Sequence, residues 1–269
     1  MRIMTCMPRY GTQANFESVT AFYHPLERGS RHQIVSPMSP QGSLLTACFN
    51  AGWAQAQDLY EAGKIDAFAM MHADQVPEPG WLDILADELE RTGADMIGVV
   101  AAIKDDRGLT STAVDDTDDP WLLRRLTMHD VMQMPETFGD AEAGGAILLN
   151  TGLWICKLGP WCFDVWFHIH DIIRKEKNRR IARVISEDWD FSRQLRARGC
   201  QLLGTRKVKL MHFGETGYPN YAEWGWKEDL QNGPNGVNFK KEPEAGVDEL
   251  LDAADAAEAP AEELEAVPA

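Results

Sequence analysis

Between residues 43 and 103 the chain alternates amphipathic segments with continuously apolar ones, and this alternation restricts the fold more than any other feature. "SLLTACFNAGWAQAQDLYEAG" sets Leu44, Leu45, Cys48, Ala51, Ala54, Gln55 and Leu59 at spacings of three and four. That pattern predicts a helix with Ser43 as N-cap and Gly63 as its stop. "IDAFAMMHA" reads as a strand buried on both faces, and "MIGVVAAI" as a second. Between them "WLDILADELERTG" predicts a helix with Trp81, Leu82, Leu85 and Leu89 on one face and Gly93 past its end. Upstream, "RIMTCM" at 2–7 and "RHQIVSPMS" at 31–39 predict strands, with a helix at about 15–23. Strands and helices alternating at this pace imply βα units, hence an α/β fold with a mostly parallel central sheet flanked by helices.

The chain has 269 residues, 44% of them hydrophobic, enough to bury a substantial core in a domain spanning 1–240. Residues 241–269 are different. They hold ten acidic residues against one lysine and no aromatic, and so carry −9 of the chain's formal −16. Such a segment cannot offset its ordering entropy by burial and is expected to be a disordered acidic tail, with at most a transient helix at 247–257. The mild acidity that remains argues against an extended nucleic-acid surface, while leaving room for a local basic stretch, "RKEKNRR" at 174–180. Five cysteines without CxxC spacing point to reduced thiols, a cytoplasmic setting and no zinc site. "MRIMTCMPRYG" is too short and polar for a signal peptide, and the most apolar run, "GGAILLNTGLWICKLGPWCF", is broken by Asn150, Lys157 and Pro160, so a soluble protein is expected.

Against this scaffold, three groups of polar residues stand where packing does not call for them. Asp74 follows the apolar strand at 65–73, and in open α/β sheets ligands bind at the carboxyl ends of strands; the alternative is that it merely begins the turn "QVPEPG". "ISEDWDFSRQLRARGC" sets Glu187 and Asp188 side by side at a helix start, with Ser186 as a possible N-cap. "VKLMHFGETG" places His212 at the end of a short strand. Acids in a first helical turn complement the helix dipole by about 0.3–1 kcal/mol each, so structural and catalytic roles for the pair are compatible.

Taken in this order, the segments resemble a glycosyltransferase of the Rossmann-like GT-A fold, of the broad family 2-like group with relatives in bacteria and bacteriophages. "GSLLTACFN" is similar to that group's "SLxTxARN", "MMHADQVPEPGW" to its DxD strand end followed by "PxxL", and "SEDWDFSRQLRARG" to its "EDxxFxxRxxxxG" helix. The resemblance covers about 1–217 and implies transfer of a sugar from a UDP- or GDP-sugar donor to an acceptor hydroxyl, with Mn²⁺ or Mg²⁺ bridging the donor's diphosphate. By the same resemblance Asp74 is the main metal ligand, His212 completes the site, and His72 stands at the first position of DxD. The resemblance likewise makes Asp188 the base, which would invert the anomeric centre, and Glu187 the residue that orients the acceptor; retention versus inversion stays open.

Two departures from the family pattern bear on this. "HAD" in place of DxD exchanges an anionic oxygen for a nitrogen, which favours Mn²⁺ over Mg²⁺ if His72 ligates; His72 can equally be a satisfied core imidazole between Met71 and Ala73. "FN" in place of "RN" puts Phe49 where an arginine faces the donor phosphates and leaves Asn50 alone, so positive charge has to come from Arg9, Lys104 or Arg28. Pro8, Arg9 and Tyr10, after the first strand, either flank the donor's base or form an ordinary turn. The aromatic stretch "YAEWGWKED" at 221–229 is a candidate acceptor lid. The acceptor stays open, a carbohydrate or modified DNA, and so does a catalytically inactive binding or assembly module of the same fold. A phage-encoded chain would work in the host cytoplasm.

Overall fold

The computed structural model of the chain describes residues 1–11 and 14–225. The expected acidic tail at 241–269, its boundary at 240 and residues 226–229 of the expected lid lie outside these residues.

A seven-stranded sheet forms the centre. Its members, with the helices that connect them, are β1 (Arg2–Cys6), α1 (Phe16–Arg28), β2 (Gln33–Met38), α2 (Leu45–Glu61), β3 (Ala67–Met71), α3 (Trp81–Thr92), β4 (Met96–Val99), β5 (Thr137–Phe138), β6 (Leu153–Lys157), α4 (Glu187–Arg196) and β7 (Leu202–Thr205). The order across the sheet is β5-β7-β4-β6-β3-β1-β2. β2, β1, β3, β4 and β7 run in one direction, and β6 and β5 run against it. The sheet is therefore mostly parallel and flanked by helices, as the βα alternation predicts. Because β1, β3 and β4 point the same way, the loops after Cys6, Met71 and Val99 open on one edge.

Every residue of β3 is buried, and its side chains alternate between two cores. Phe68 and Met70 join Phe49, Trp53 and Trp154 on one face, while Ala67, Ala69 and Met71 join Trp81, Leu85 and Ile97 on the other. α3 begins after Gly80 and stops at Gly93, which takes φ 71° and returns its N–H to the Leu89 carbonyl, an ending that residues with a Cβ resist. On the first face Trp53 of α2 packs edge-on against Phe191 of α4 at 5.3 Å, and Phe167 stacks on Phe191 at 4.3 Å. These aromatic contacts hold the start of α4, with its two carboxylates, in a fixed place relative to α2 and β6.

Local details differ from expectation in three places. α1 runs on to Arg28, well past Tyr23, and carries Pro25 inside it, with Asn15 accepting from the Glu17 N–H as N-cap. α2 starts one residue later than Ser43 capping requires: Leu44 holds the cap position and no side chain satisfies the exposed N–H groups. Ser186 holds the N-cap position of α4, yet its hydroxyl makes no capping bond. Among the described residues no helix is long and apolar enough to cross a membrane. All five cysteines are buried free thiols, and burial pushes Cys6 up to about 12.

Candidate functional site

At the shared edge, the loops after β1 and β3 border a cavity of about 610 Å³ whose walls include Pro8, Tyr10, Leu45, His72, Asp74 and Phe213. Asp74 is carried just past β3. The short strand Gln75–Pro77 then pairs antiparallel with Leu210–Phe213, setting His212 opposite Gln75, and the Phe213 N–H donates to the Asp74 carbonyl at 2.8 Å. This pairing joins two segments more than a hundred residues apart and brings the His212 Nε2 to 3.5 Å from Asp74 Oδ2.

The polar atoms of this group are incompletely paired. His212 Nδ1 donates to the Ala102 carbonyl at 2.7 Å, since a carbonyl only accepts, and this hydrogen bond directs Nε2 toward Asp74. His72 lies against the ring of Phe49 at 4.7 Å, and its Nε2 is buried with no hydrogen-bond partner. Asp74 Oδ1 is likewise buried and unpaired, whereas Oδ2 accepts from the Lys104 ammonium. Burial resists ionisation of Asp74, but His212, His72 and Lys104 outweigh it and hold the carboxyl well below the usual carboxylate range. Burial pushes the His72 imidazole down, against the pull of Asp74 and Asp188. Imidazole nitrogens beside an ionised carboxylate are a donor set that suits a borderline divalent cation. Among the described residues no three His, Cys, Asp or Glu side chains already stand in a metal-holding arrangement. The chemistry of the unpaired atoms, a carboxylate oxygen and an imidazole nitrogen, suits a divalent cation, and Lys104 occupies the other oxygen of Asp74.

The carboxylate pair sits behind this cavity and does not line it. β6 runs antiparallel to β3, and the His72 N–H donates to the Gly152 carbonyl at 2.6 Å, so the loop before β6 lies against the histidine. From that loop Thr151 Oγ1 donates to Asp188 Oδ1 and Asn150 Nδ2 donates to Asp188 Oδ2 at 3.1 Å. Ser192, one turn on, accepts the Leu149 N–H at 2.9 Å. The sequence pattern marks Asn150 only as an interruption of an apolar run and does not single out Thr151; a polar pair at that point was the signal. Arg125 was also missed. Its guanidinium lies 4.5 Å over the Trp189 ring and donates to the Thr110 carbonyl, and burial pushes it down to about 10 against the pull of Asp188.

Gly152 is required by close approach. A Cβ there would stand 1.8 Å from Gln75 Nε2 and 2.6 Å from Asn150 Oδ1, and Gln75 is buried. Gly152→Ala is expected to lose about 1–3 kcal/mol of stability, measured by chemical denaturation. An unchanged denaturation midpoint would refute this packing argument.

Burial and the charge of Asp188 push the Glu187 carboxyl up to about 8. A folded value above the unfolded one means that the folded state binds the extra proton, so Glu187 lowers stability progressively as pH rises from about 4.5 toward 8, by at most about 1.4 kcal/mol per pH unit. Glu187→Gln is therefore expected to melt above the wild type at pH 8 and together with it at pH 4. Parallel curves at both pH values would show that Glu187 is not held protonated.

Other expected residues take different positions. Asn50 uses both ends of its amide on the backbone of Phe167, at 2.9 and 2.8 Å, and is not among the cavity's lining residues. Arg9 lies between Pro8 and Tyr10 with its N–H on the Pro40 carbonyl and is not among the lining residues either. Of Arg9, Lys104 and Arg28, Lys104 is the cation that reaches Asp74. Trp224 packs on Tyr218, donates to the Pro219 carbonyl, and borders a second cavity with Arg107 and His129, apart from the first. The basic stretch at 174–180 forms the tip of a hairpin of His170–Glu176 with Arg179–Ile185, where Arg174 and Arg183 both bond Glu176.

No protein-family model matches the sequence, and no curated protein matches it significantly. Among solved structures the chain is similar to A197 from STIV, at 13% identity over 80% of this chain and 86% of that one, with a TM-score of 0.46. It is also similar to a UDP-glucose pyrophosphorylase complexed with UDP-glucose, at 9% identity over 86% and 96% of the two chains, with a TM-score of 0.40.

Proposed function

We propose that the chain is a metal-dependent glycosyltransferase that binds a nucleoside-diphosphate sugar in the 610 Å³ cavity and transfers the sugar to an acceptor hydroxyl. The observation that carries the reading is that two residues of the cavity wall, Asp74 and His72, each keep a buried atom without a hydrogen-bond partner, Oδ1 and Nε2, and that His212 Nε2 lies 3.5 Å from Asp74 Oδ2. Asp74 is the principal ligand to Mn²⁺ or Mg²⁺, with His212 and His72 completing the set and favouring Mn²⁺. The cation, when bound, neutralises the charge that grows on the leaving diphosphate. Pro8 and Tyr10 flank the donor's base. The uncapped N-terminus of α2, beginning at Leu45 on the cavity wall, offers backbone N–H groups toward the phosphates.

Asp188 and Glu187 divide the acceptor chemistry. The sequence resemblance gives Asp188 the role of base and Glu187 that of orienting the acceptor; both lie behind the cavity, with Asp188 bonded by Thr151 and Asn150, so the acceptor hydroxyl has to reach them past that loop. A carboxyl held protonated by burial next to a second carboxylate suits this division, and attack opposite the leaving group would invert the anomeric centre.

Calorimetric titration of UDP- and GDP-sugars with and without Mn²⁺, together with initial rates of nucleoside diphosphate release, tests the proposal. Metal-dependent binding with turnover supports it. Binding without turnover toward carbohydrate or DNA acceptors, or toward water, would favour a binding module of the same fold, and no binding at all would overturn the reading.

A further inference from the structure

The cation site proposed above has a competitor within the chain. Lys104 lies a few residues beyond β4; its ammonium bonds Asp74 Oδ2, and its stem lies along Gly214, where a Cβ would meet Lys104 carbons at 3.2 Å. One positive charge thus balances Asp74, but it satisfies a single oxygen. Oδ1 of Asp74 and Nε2 of His72 remain buried without partners, and His212 has its Nδ1 committed to Ala102. A centre that existed only to form an ion pair would have no use for the His212 Nε2 held 3.5 Å from Asp74 and an unpaired His72 Nε2 on the same cavity wall. The pair is also open to exchange: the Lys104 and Asp74 side chains are 36% and 38% exposed, and half-exposed pairs between a flexible ammonium and a carboxylate are weak.

From this arrangement we infer that Lys104 is an exchangeable internal countercation. It holds Asp74 while the site is free of metal, and it moves to the donor's diphosphate when a divalent cation takes Asp74. The inference rests on the metal reading of Asp74 given above. A divalent cation arriving alone has to displace the ammonium or bind beside it, and like charges so close oppose each other. A nucleoside diphosphate changes the balance, because its oxygens receive both the cation and the displaced ammonium. Metal and nucleotide therefore bind as a cooperative pair, each raising the affinity of the other by the same factor.

The test uses Mn²⁺ alone, with free ion measured by electron paramagnetic resonance, on the full chain and on Lys104→Met, Lys104→Gln and Asp74→Asn. Thermal melting checks that each variant is folded. Both lysine variants are expected to bind Mn²⁺ at least about tenfold more tightly than the wild type, a change of about 1.4 kcal/mol. They are also expected to bind UDP in the presence of Mn²⁺ more weakly, having lost the ammonium that meets the diphosphate. Equal Mn²⁺ affinity in the wild type and both lysine variants, abolished in Asp74→Asn, would overturn the countercation and leave the metal reading intact. No Mn²⁺ binding to any of the four proteins would overturn both.

Discussion

Asp74→Asn is expected to abolish the metal dependence of nucleotide binding, with affinity in Mn²⁺ falling by at least about 100-fold, while the fold survives. Loss of groups that only orient a ligand weakens metal sites by about 10–100-fold, and loss of the single anionic ligand should exceed that. In the proposed ligand set of Asp74, His72 and His212, Asp74 is the one carboxylate, so the set has no second anion to take its place. The effect on folding is small by comparison. Lys104, left without its partner, is 36% exposed and can turn its ammonium to water, so the lost pair contributes no more than about 1 kcal/mol. Asparagine keeps one acceptor for Lys104 and leaves undisturbed the Phe213 N–H bond, which goes to the backbone carbonyl of residue 74. Isothermal titration of UDP with and without Mn²⁺, alongside a melting curve, separates the two quantities. Equal affinity for wild type and variant in Mn²⁺ would remove Asp74 from the metal assignment.

The parts of the site legible in sequence are those that local chemistry announces. An aspartate at the end of a fully apolar strand, and two acids at a helix start, contradict packing and so stand out. α2, β3, α3 and β4 were legible because their periodicities of three to four or of continuous burial are strong, and because Gly63 and Gly93 mark helix ends. What sequence could not convey is pairing over distance. Nothing local to Lys104 indicates that its stem lies along Gly214 and its head on Asp74, and nothing near Asn50 indicates that Phe167 consumes its amide. Both outcomes depend on sheet register and loop path, which arise from tertiary packing. The same holds for β6. Its antiparallel placement between β3 and β4 follows from no local pattern, yet it carries Asn150 and Thr151 to Asp188 and presses Gly152 against His72. Capping failed for a related reason. Ser43 and Ser186 have the right residue type near the right position, but the chain path puts Leu44 at the cap of α2 and leaves the Ser186 hydroxyl without a capping bond.

Asp188→Asn is the sharper test of mechanism, because the structural and catalytic roles of Asp188 predict effects of different size. Structurally, the carboxylate accepts from Thr151 and from Asn150, and an amide satisfies both contacts by turning its oxygen to Asn150 and its nitrogen to a rotated Thr151 hydroxyl. The stability lost is then that of exchanging charged for neutral hydrogen bonds, about 1 kcal/mol. Catalytically, the amide has no basic site, so turnover should fall by about 10²–10⁴-fold while nucleotide affinity barely moves. Glu187→Gln preserves a hydrogen-bond donor where the wild type holds a protonated carboxyl and should lose much less. The measurement is the initial rate of nucleoside diphosphate release, with donor hydrolysis by water as the fallback reaction. If Asp188→Asn keeps acceptor-dependent turnover while Glu187→Gln loses it, the two roles are exchanged. If both variants keep it, neither carboxylate is the base, and Asp188 serves only to tie α4 to the loop that backs His72.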